Sequence, residues 1–124
     1  SVKEQPGSAS VVQGVASELA GIGYSGIGYR TADVRPVPLA RDAGSPYFEA
    51  NAENAYNGNY PLARFLYVYI NVKPGEVLDP LRREFVRYIF SRQGQEDVIR
   101  DGYLPIDATV AREMLKAIGI QAEF

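Results

Sequence analysis

Two copies of a Gly-Ile-Gly-Tyr tetrad, Gly21–Tyr24 and Gly26–Tyr29, are the first pattern in this sequence that could carry chemistry. Their glycines include Gly21, Gly23 and Gly26, which spell the G-x-G-x-x-G motif of dinucleotide-binding folds. That motif works only when a strand precedes the glycines and a helix follows them, because the free N–H groups at the start of the helix bind the pyrophosphate. The elements around the tetrads therefore decide whether the motif binds a nucleotide.

Those elements come in the opposite order. The segment before the tetrads, residues 10–19, has the period of an amphipathic helix with Ser8 or Ser10 as N-cap, and its apolar residues share one stripe: Val11, Val12, Val15 and Leu19. The segment after them, residues 34–39, contains two prolines, which forbid a helix interior. The order predicts a buried strand entered from a helix, with glycines that allow close packing, rather than a nucleotide loop.

The start of that first helix is the best candidate for binding an anion. Gly7, Ser8, Ala9 and Ser10 would offer N–H groups without intrahelical acceptors, the positive end of the helix dipole and two hydroxyls. These groups suit a phosphate oxygen. The alternative is that the serines only cap the helix.

Enzyme chemistry and metal binding find little support in the sequence. The chain has no histidine and no cysteine, which excludes Ser-His-Asp and Cys-His catalysis, thiolate chemistry and the usual zinc sites. Four carboxylates lie in or near loops, but no pair has a spacing that identifies an acid and a base: Asp33, Asp42, Glu49 and Glu53. We expect solvated loop charges, with no catalytic residue, no metal and no cofactor.

Length and charge limit the remaining possibilities. With 124 residues and 46% hydrophobic content, the chain can bury one core, either as one compact unit or as part of a larger one. Its 13 basic and 15 acidic residues give a net charge of −2, so no overall field attracts nucleic acid or an anionic membrane. The sequence contains no run of about eighteen apolar residues. Its first six residues include neither a start methionine nor a targeting region, as expected for a mature product or a fragment.

The middle of the chain is predicted to be a long loop followed by a strand. Residues 41–61 are rich in Asn, Gly, Ala and Pro and read as a loop or crossover with room for one helical turn. Residues 62–71 are dense in aromatic and β-branched side chains and predict a strand, closed by Lys73-Pro74-Gly75.

The final third is predicted to be helical. Asp79-Pro80 is predicted to start a helix that runs to about Arg92, and Gly94 ends or kinks it. A short second helix runs from Gln95 to Asp101 and stops at Gly102. Asp107 caps a last helix, which continues through Ile118. The expected apolar face of the first of these helices is Leu81, Phe85, Tyr88 and Ile89, and that of the last is Val110, Met114, Leu115 and Ile118. The helix that starts at Asp79-Pro80 also carries four arginines: Arg82, Arg83, Arg87 and Arg92. They could bind phosphate groups, but a solvated surface is the better interpretation.

Five pieces in order carry a resemblance to a known family. After the first helix come Ala20-Gly-Ile-Gly-Tyr24, Tyr60-Pro-Leu-Ala-Arg-Phe-Leu-Tyr67, Phe90-Ser-Arg-Gln-Gly-Gln95 and Asp101-Gly-Tyr-Leu-Pro-Ile106. This ordered set, from about Gln5 to Ile106, resembles the C-terminal half of bacterial phosphate-binding proteins, the periplasmic substrate-binding components of phosphate ABC transporters.

The resemblance implies a two-lobed α/β fold of the periplasmic-binding-protein type. It implies binding of inorganic phosphate, in the periplasm or after secretion, and delivery to a membrane permease without chemistry on the ligand. The arginine-containing anion loop of the family would lie upstream of the matched region. The alternatives are a secreted relative with phosphatase activity and a non-catalytic interaction protein. Exposed strand edges in such a segment would also favour self-association.

Overall fold

The computed structural model describes residues 2–73 and 75–124, and it divides into two compact units, Ser1–Leu66 and Tyr67–Phe124. Five α-helices are present in the described residues: α1 (Ser8–Ala16), α2 (Ala52–Tyr56), α3 (Pro80–Phe90), α4 (Arg92–Arg100) and α5 (Ala108–Ala117). Pro74, the middle residue of the predicted strand closure, lies outside the described residues.

The first unit begins with α1, which confirms the predicted helix but ends three residues earlier than expected. Val12 is buried and Val11 and Val15 are half-buried, as the apolar stripe predicts. Leu19 is fully exposed, so its assignment to that stripe was wrong. The helix ends at Ala16 because Ser17 becomes the C-cap and its hydroxyl bonds the Gln13 carbonyl at 2.8 Å.

The tetrads do not form a buried strand, and this prediction was wrong. Residues 20–26 are irregular, Ile27–Tyr29 forms a single 3₁₀ turn, and the apolar side chains of both tetrads are exposed. An extended segment becomes a strand only when a neighbour supplies the ladder of hydrogen bonds, and no described residue pairs with this one. The predicted close packing of a glycine does occur, at Gly23, but against side chains of α1 rather than against backbone.

Residues 41–61, predicted as a long loop or crossover, contain one short helix, α2. Asn51 caps this helix by accepting a hydrogen bond from the Asn54 N–H at 2.9 Å. Leu39 and Phe48 exchange two backbone hydrogen bonds in an antiparallel bridge just before it. The Tyr60 hydroxyl donates to the Val37 carbonyl at 3.2 Å. These bonds give the loop a defined path despite its small apolar content.

The strand predicted over residues 62–71 is also not formed in the described part of the chain. Phe65, Leu66, Tyr67, Val68 and Tyr69 are all exposed, and the segment has no ladder partner. Its β-branched and aromatic composition favours a pleated, half-buried surface, which requires a neighbouring strand. Composition alone therefore could not make the strand.

The helical final third is confirmed, with corrected boundaries. Asp79 caps α3 by accepting from the Arg82 N–H at 3.1 Å, with Pro80 at the first helical position. Helix α3 ends at Phe90 rather than Arg92, because the Ser91 side chain caps α4 by accepting from the Gly94 N–H at 3.1 Å. Gly94 consequently lies inside the first turn of α4 instead of ending α3.

The core of the second unit is a cluster of Leu78, Val86, Leu115 and Ile120. Asp107 caps α5 as predicted, and Leu115 is 1% exposed. Part of each predicted buried face was wrong. In α5, Met114 is 47% exposed. In α3, Leu81, Phe85 and Tyr88 are exposed, whereas Val86 is buried. The inward face of α3 follows Val86 and Phe90, a spacing of four that the sequence also contains.

Candidate anion-binding site

The start of α1 has the backbone geometry of a helix N-terminus without a side-chain cap. Gly7 is the N-cap with extended backbone, and the first intrahelical bond runs from the Val11 N–H to the Gly7 carbonyl at 3.1 Å. Gly7, Ser8, Ala9 and Ser10 therefore hold the four N–H groups that lack an intrahelical acceptor. These are the same four residues that the sequence singles out.

Neither serine caps the helix, so the capping alternative is wrong. The cap residue is Gly7, and no side chain bonds a backbone N–H at this end of α1. Ser8 and Ser10 lie inside the first turn and are half-buried, and their hydroxyls make no hydrogen bond within the described residues. Both hydroxyls consequently stay available as donors near the free N–H groups.

The surroundings of this turn suit an anion. The first turn contains no acidic residue that would repel a negative charge. A Cβ added at Gly7 would find no heavy atom within 4 Å, so the backbone there is open. The donors are neutral amides and hydroxyls reinforced by the helix dipole. Such a set would hold a phosphate oxygen by hydrogen bonds rather than by a fixed cation.

The segment behind α1 fixes the position of this turn. The Ser25 hydroxyl donates to the Ser8 carbonyl at 3.2 Å, from a residue that separates the two tetrads. A Cβ at Gly23 would lie 2.7 Å from a Val15 methyl and 2.9 Å from a Val11 methyl. Only glycine permits that approach. Sequence reasoning missed Ser25, although its place between two glycine-rich tetrads was a usable signal.

Two of the four loop carboxylates lie in defined local elements. Glu53 lies in the first turn of α2, and the Asp42 carbonyl accepts from the Ser45 N–H in a turn. In residues 2–73 and 75–124, no group of three or more His, Cys, Asp or Glu side chains could hold a metal ion.

The arginines of α3 and the start of α4 are neutralised by acidic neighbours. The ion-pair distances are 3.0 Å for Arg82–Asp79, 3.5 Å for Arg83–Glu84, 2.9 Å for Arg87–Glu123 and 3.0 Å for Arg92–Glu96. A surface that reads phosphates needs cations that are free to neutralise them. These arginines instead belong to ion pairs at the protein surface.

The Ser-x-x-Gly-Gln motif at the corner between α3 and α4 has a structural role. The side-chain amide of Gln95 donates to the Ile89 carbonyl at 2.7 Å and accepts from the Ile106 N–H at 2.8 Å. Nearby, the Tyr88 hydroxyl donates to the Asp97 carboxylate, and this bond raises the pKa of Tyr88. The motif thus joins the end of α3 to the connection before α5.

Comparison with known proteins supplies the remaining evidence. No family model matches the chain. The chain is 54% identical, over 119 residues and 96% of its length, to the phosphate-binding protein PstS of Pseudomonas aeruginosa, with the same figures for two strains. It spans about 37% of the length of these relatives. The 119 matched residues extend the similarity beyond Ile106, where the quoted motifs end.

None of the helices in the described residues is long and apolar enough to cross a membrane. The extent and identity of the match confirm the resemblance carried by the ordered motifs. Over almost its whole length, this chain is similar to part of a bacterial phosphate-binding protein.

Proposed function

We propose that this chain is part of the substrate-binding component of a bacterial phosphate ABC transporter. It acts in the periplasm, where the intact protein captures inorganic phosphate and delivers it to the membrane permease without chemistry on the ligand. The observation that carries the proposal is the 54% identity, over 96% of the chain, to proteins named for phosphate binding.

The proposal extends to the fold. Residues 20–29 and 62–71 have strand-like composition but no ladder partner among the described residues. In a protein of the relatives' length, further strands would supply those partners and complete a two-lobed α/β architecture, to which both units of this chain would belong as one segment.

Within this chain, Gly7, Ser8, Ala9 and Ser10 contribute to the phosphate site. The support is local: four N–H groups without intrahelical acceptors, two hydroxyls without partners, and no acidic residue in the first turn of α1. The family's principal anion loop would come from the part of the relatives that precedes the match, so these residues supply one side of the site.

The test of this site is the double variant Ser8→Ala and Ser10→Ala, made in a version extended upstream to the relatives' length. Loss of two neutral hydrogen bonds should weaken phosphate binding by about tenfold or more in a titration. Ser17→Ala is the matched control, because Ser17 lies at the other end of α1. Equal affinity in all three proteins would remove the serines from the site.

A binding protein should also leave phosphate esters intact. The extended protein, incubated with a chromogenic phosphate ester, is expected to release no product above background while it binds phosphate. Robust turnover that scales with protein concentration would contradict the proposal and favour a phosphatase.

A further inference from the structure

Asn57 and Gly58 form the only Asn-Gly pair in the sequence, and they follow directly after helix α2. The other asparagines precede residues that carry a side chain: Ala52, Ala55, Tyr60 and Val72. Asn57 is the C-cap of α2, and both residues of the pair are exposed. Gly58 has a φ of +73°, and a Cβ added there would meet no heavy atom within 4 Å. Solvent therefore reaches the Asn57 carboxamide and the backbone nitrogen that follows it.

The turn after α2 holds the Asn57 carboxamide by its oxygen. The Asn59 N–H donates to Asn57 Oδ1 at 3.1 Å, an Asx turn that directs the side chain towards the backbone after it. This hydrogen bond also polarises the side-chain carbonyl, which makes Cγ more electrophilic. Among the described residues, Asn57 Nδ2 has no hydrogen-bond partner. The carboxamide is thus activated at its carbon and unrestrained at its nitrogen.

The nucleophile beside this carboxamide is the backbone nitrogen of Gly58. Its N–H donates to the Ala55 carbonyl at 3.3 Å, longer than an ordinary N–H···O bond. Asn57 has a ψ of 0°, so rotation about this bond must bring the nitrogen onto Cγ. Helix α2 has five residues, and the end of so short a helix opens readily. Release of one weak bond therefore frees the nitrogen, and glycine has no Cβ to obstruct its attack.

We propose that Asn57 is a site of spontaneous deamidation through a succinimide. The Gly58 nitrogen gives up its proton to hydroxide and bonds to Asn57 Cγ. The Cγ–Nδ2 bond breaks, and Nδ2 leaves as ammonia with a proton from water. Water then adds to either carbonyl of the ring, which opens to an aspartate or an isoaspartate at position 57. The reaction needs no enzyme, oxidant or reductant.

The modification changes the charge and the backbone of the loop over residues 41–61. Each event adds one negative charge to a chain whose net charge is −2. An isoaspartate also inserts a methylene into the backbone, between two bonds that define the path of the loop. Arg41 Nη2 donates to the Gly58 carbonyl at 3.5 Å, and the Tyr60 N–H donates to the Asn54 carbonyl at 3.0 Å. The site lies outside the candidate anion-binding residues and is independent of the proposed function.

Mass spectrometry of tryptic peptides measures the reaction directly. Cleavage after Arg41 and Arg64 gives residues 42–64, a peptide that contains Asn57 and its internal control, Asn54. Asn54 Nδ2 donates to the Glu49 carbonyl at 3.0 Å, and Ala55 follows it. The 124-residue chain and the version extended to the relatives' length are incubated at neutral and at mildly alkaline pH. We expect conversion at Asn57 in both proteins, faster at the higher pH, and a product that isoaspartyl methyltransferase methylates.

Two glycine substitutions distinguish attack by the Gly58 nitrogen from a general loss of stability. Gly58→Ala places a Cβ beside the attacking nitrogen and should slow conversion by about tenfold or more. Gly44→Ala is the matched control, because Gly44 has a φ of +89° and a Cβ there also meets no heavy atom within 4 Å. Both alanines impose similar backbone strain, so Gly44→Ala should leave the rate at Asn57 unchanged.

A free peptide of residues 42–64 shows whether the fold protects the pair. Because one long hydrogen bond restrains Gly58, both proteins should react within about tenfold of the peptide rate. Conversion in the peptide but not in the folded proteins, as monitored by circular dichroism, would overturn the proposal. Equal conversion at Asn54, or a rate that Gly58→Ala does not change, would overturn it as well.

Discussion

The two units of this molecule differ in what stabilises them. Among the described residues, every ion pair and the whole hydrophobic cluster lie in the second unit, whereas the first unit has one buried hydrophobic side chain, Val12. The candidate anion-binding residues lie in the first unit, on a helix held by a glycine contact and a serine tether. Most of the packing and the candidate anion-binding residues therefore lie in different parts of the chain.

The core matters more than the ion pairs in this difference. Most of the paired side chains in the second unit are substantially exposed, and exposed pairs contribute at most about 1 kcal/mol each. Complete burial of a side chain such as Leu115 contributes about 1.5–3 kcal/mol.

Truncating the core of each unit should give the largest contrast. Leu115→Ala should lower the free energy of unfolding by about 2–5 kcal/mol, because it leaves a cavity in the cluster. Val12→Ala in the first unit should lower it by about 1.5 kcal/mol, since fewer methyl groups are removed. Urea unfolding followed by far-ultraviolet circular dichroism measures both. Equal losses would show that the units are packed to the same degree.

Glycines at two helical positions should respond in opposite directions. A Cβ at Gly94 would lie 2.0 Å from the Tyr88 carbonyl oxygen, so Gly94→Ala should force the corner between α3 and α4 apart and cost about 1–3 kcal/mol or more. Gly14→Ala in α1 meets only the end of the Gln5 side chain, at 3.6 Å, and should stabilise by up to about 1 kcal/mol. Thermal unfolding of the two variants checks the pair, and a stable Gly94→Ala protein would contradict the described corner.

The cap of α5 should make the second unit sensitive to acid. The hydrogen bond from the Thr109 N–H, at 2.7 Å, holds the pKa of Asp107 below its ordinary value. A lowered folded pKa gives stability that is present above the unfolded pKa of about 4 and is lost as the pH falls through the folded value. Asp107→Asn keeps an acceptor oxygen but does not titrate. Its stability should therefore fall less steeply below about pH 4, and an unchanged slope would remove Asp107 from the acid response.

The smallest stability effect is expected at the candidate site. Because neither serine caps α1, Ser8→Ala with Ser10→Ala should change the free energy of unfolding by less than about 0.5 kcal/mol. A capping serine would instead cost about 1 kcal/mol when replaced. Chemical denaturation of the double variant distinguishes these outcomes.

Local sequence signals predicted the parts of the fold that depend on local interactions. Asp79-Pro80 and Asp107 identified the starts of α3 and α5, because a side-chain cap and a proline at the first position act within one turn. The start of α1 was found as an anion candidate through the same local reasoning about free N–H groups.

The rest depended on partners distant in sequence. The tetrads and residues 62–71 were predicted as strands from composition, but a strand requires a ladder, and no described residue supplies one. The inward face of α3 was placed on Leu81 and Phe85, whereas packing against Leu115 and Ile120 selected Val86. The Ser25 tether and the two bonds of Gln95 join residues 17, 6 and 11 positions apart, so periodicity could not reveal them.

The most direct test of the central claim is calorimetric titration of inorganic phosphate, with sulfate as the control anion. It should be performed on the 124-residue chain and on a version extended upstream to the relatives' length. The account predicts that the extended protein binds phosphate in preference to sulfate, and that the shorter chain, with one side of the site, binds more weakly. An extended, folded protein that binds no phosphate would contradict the proposed function.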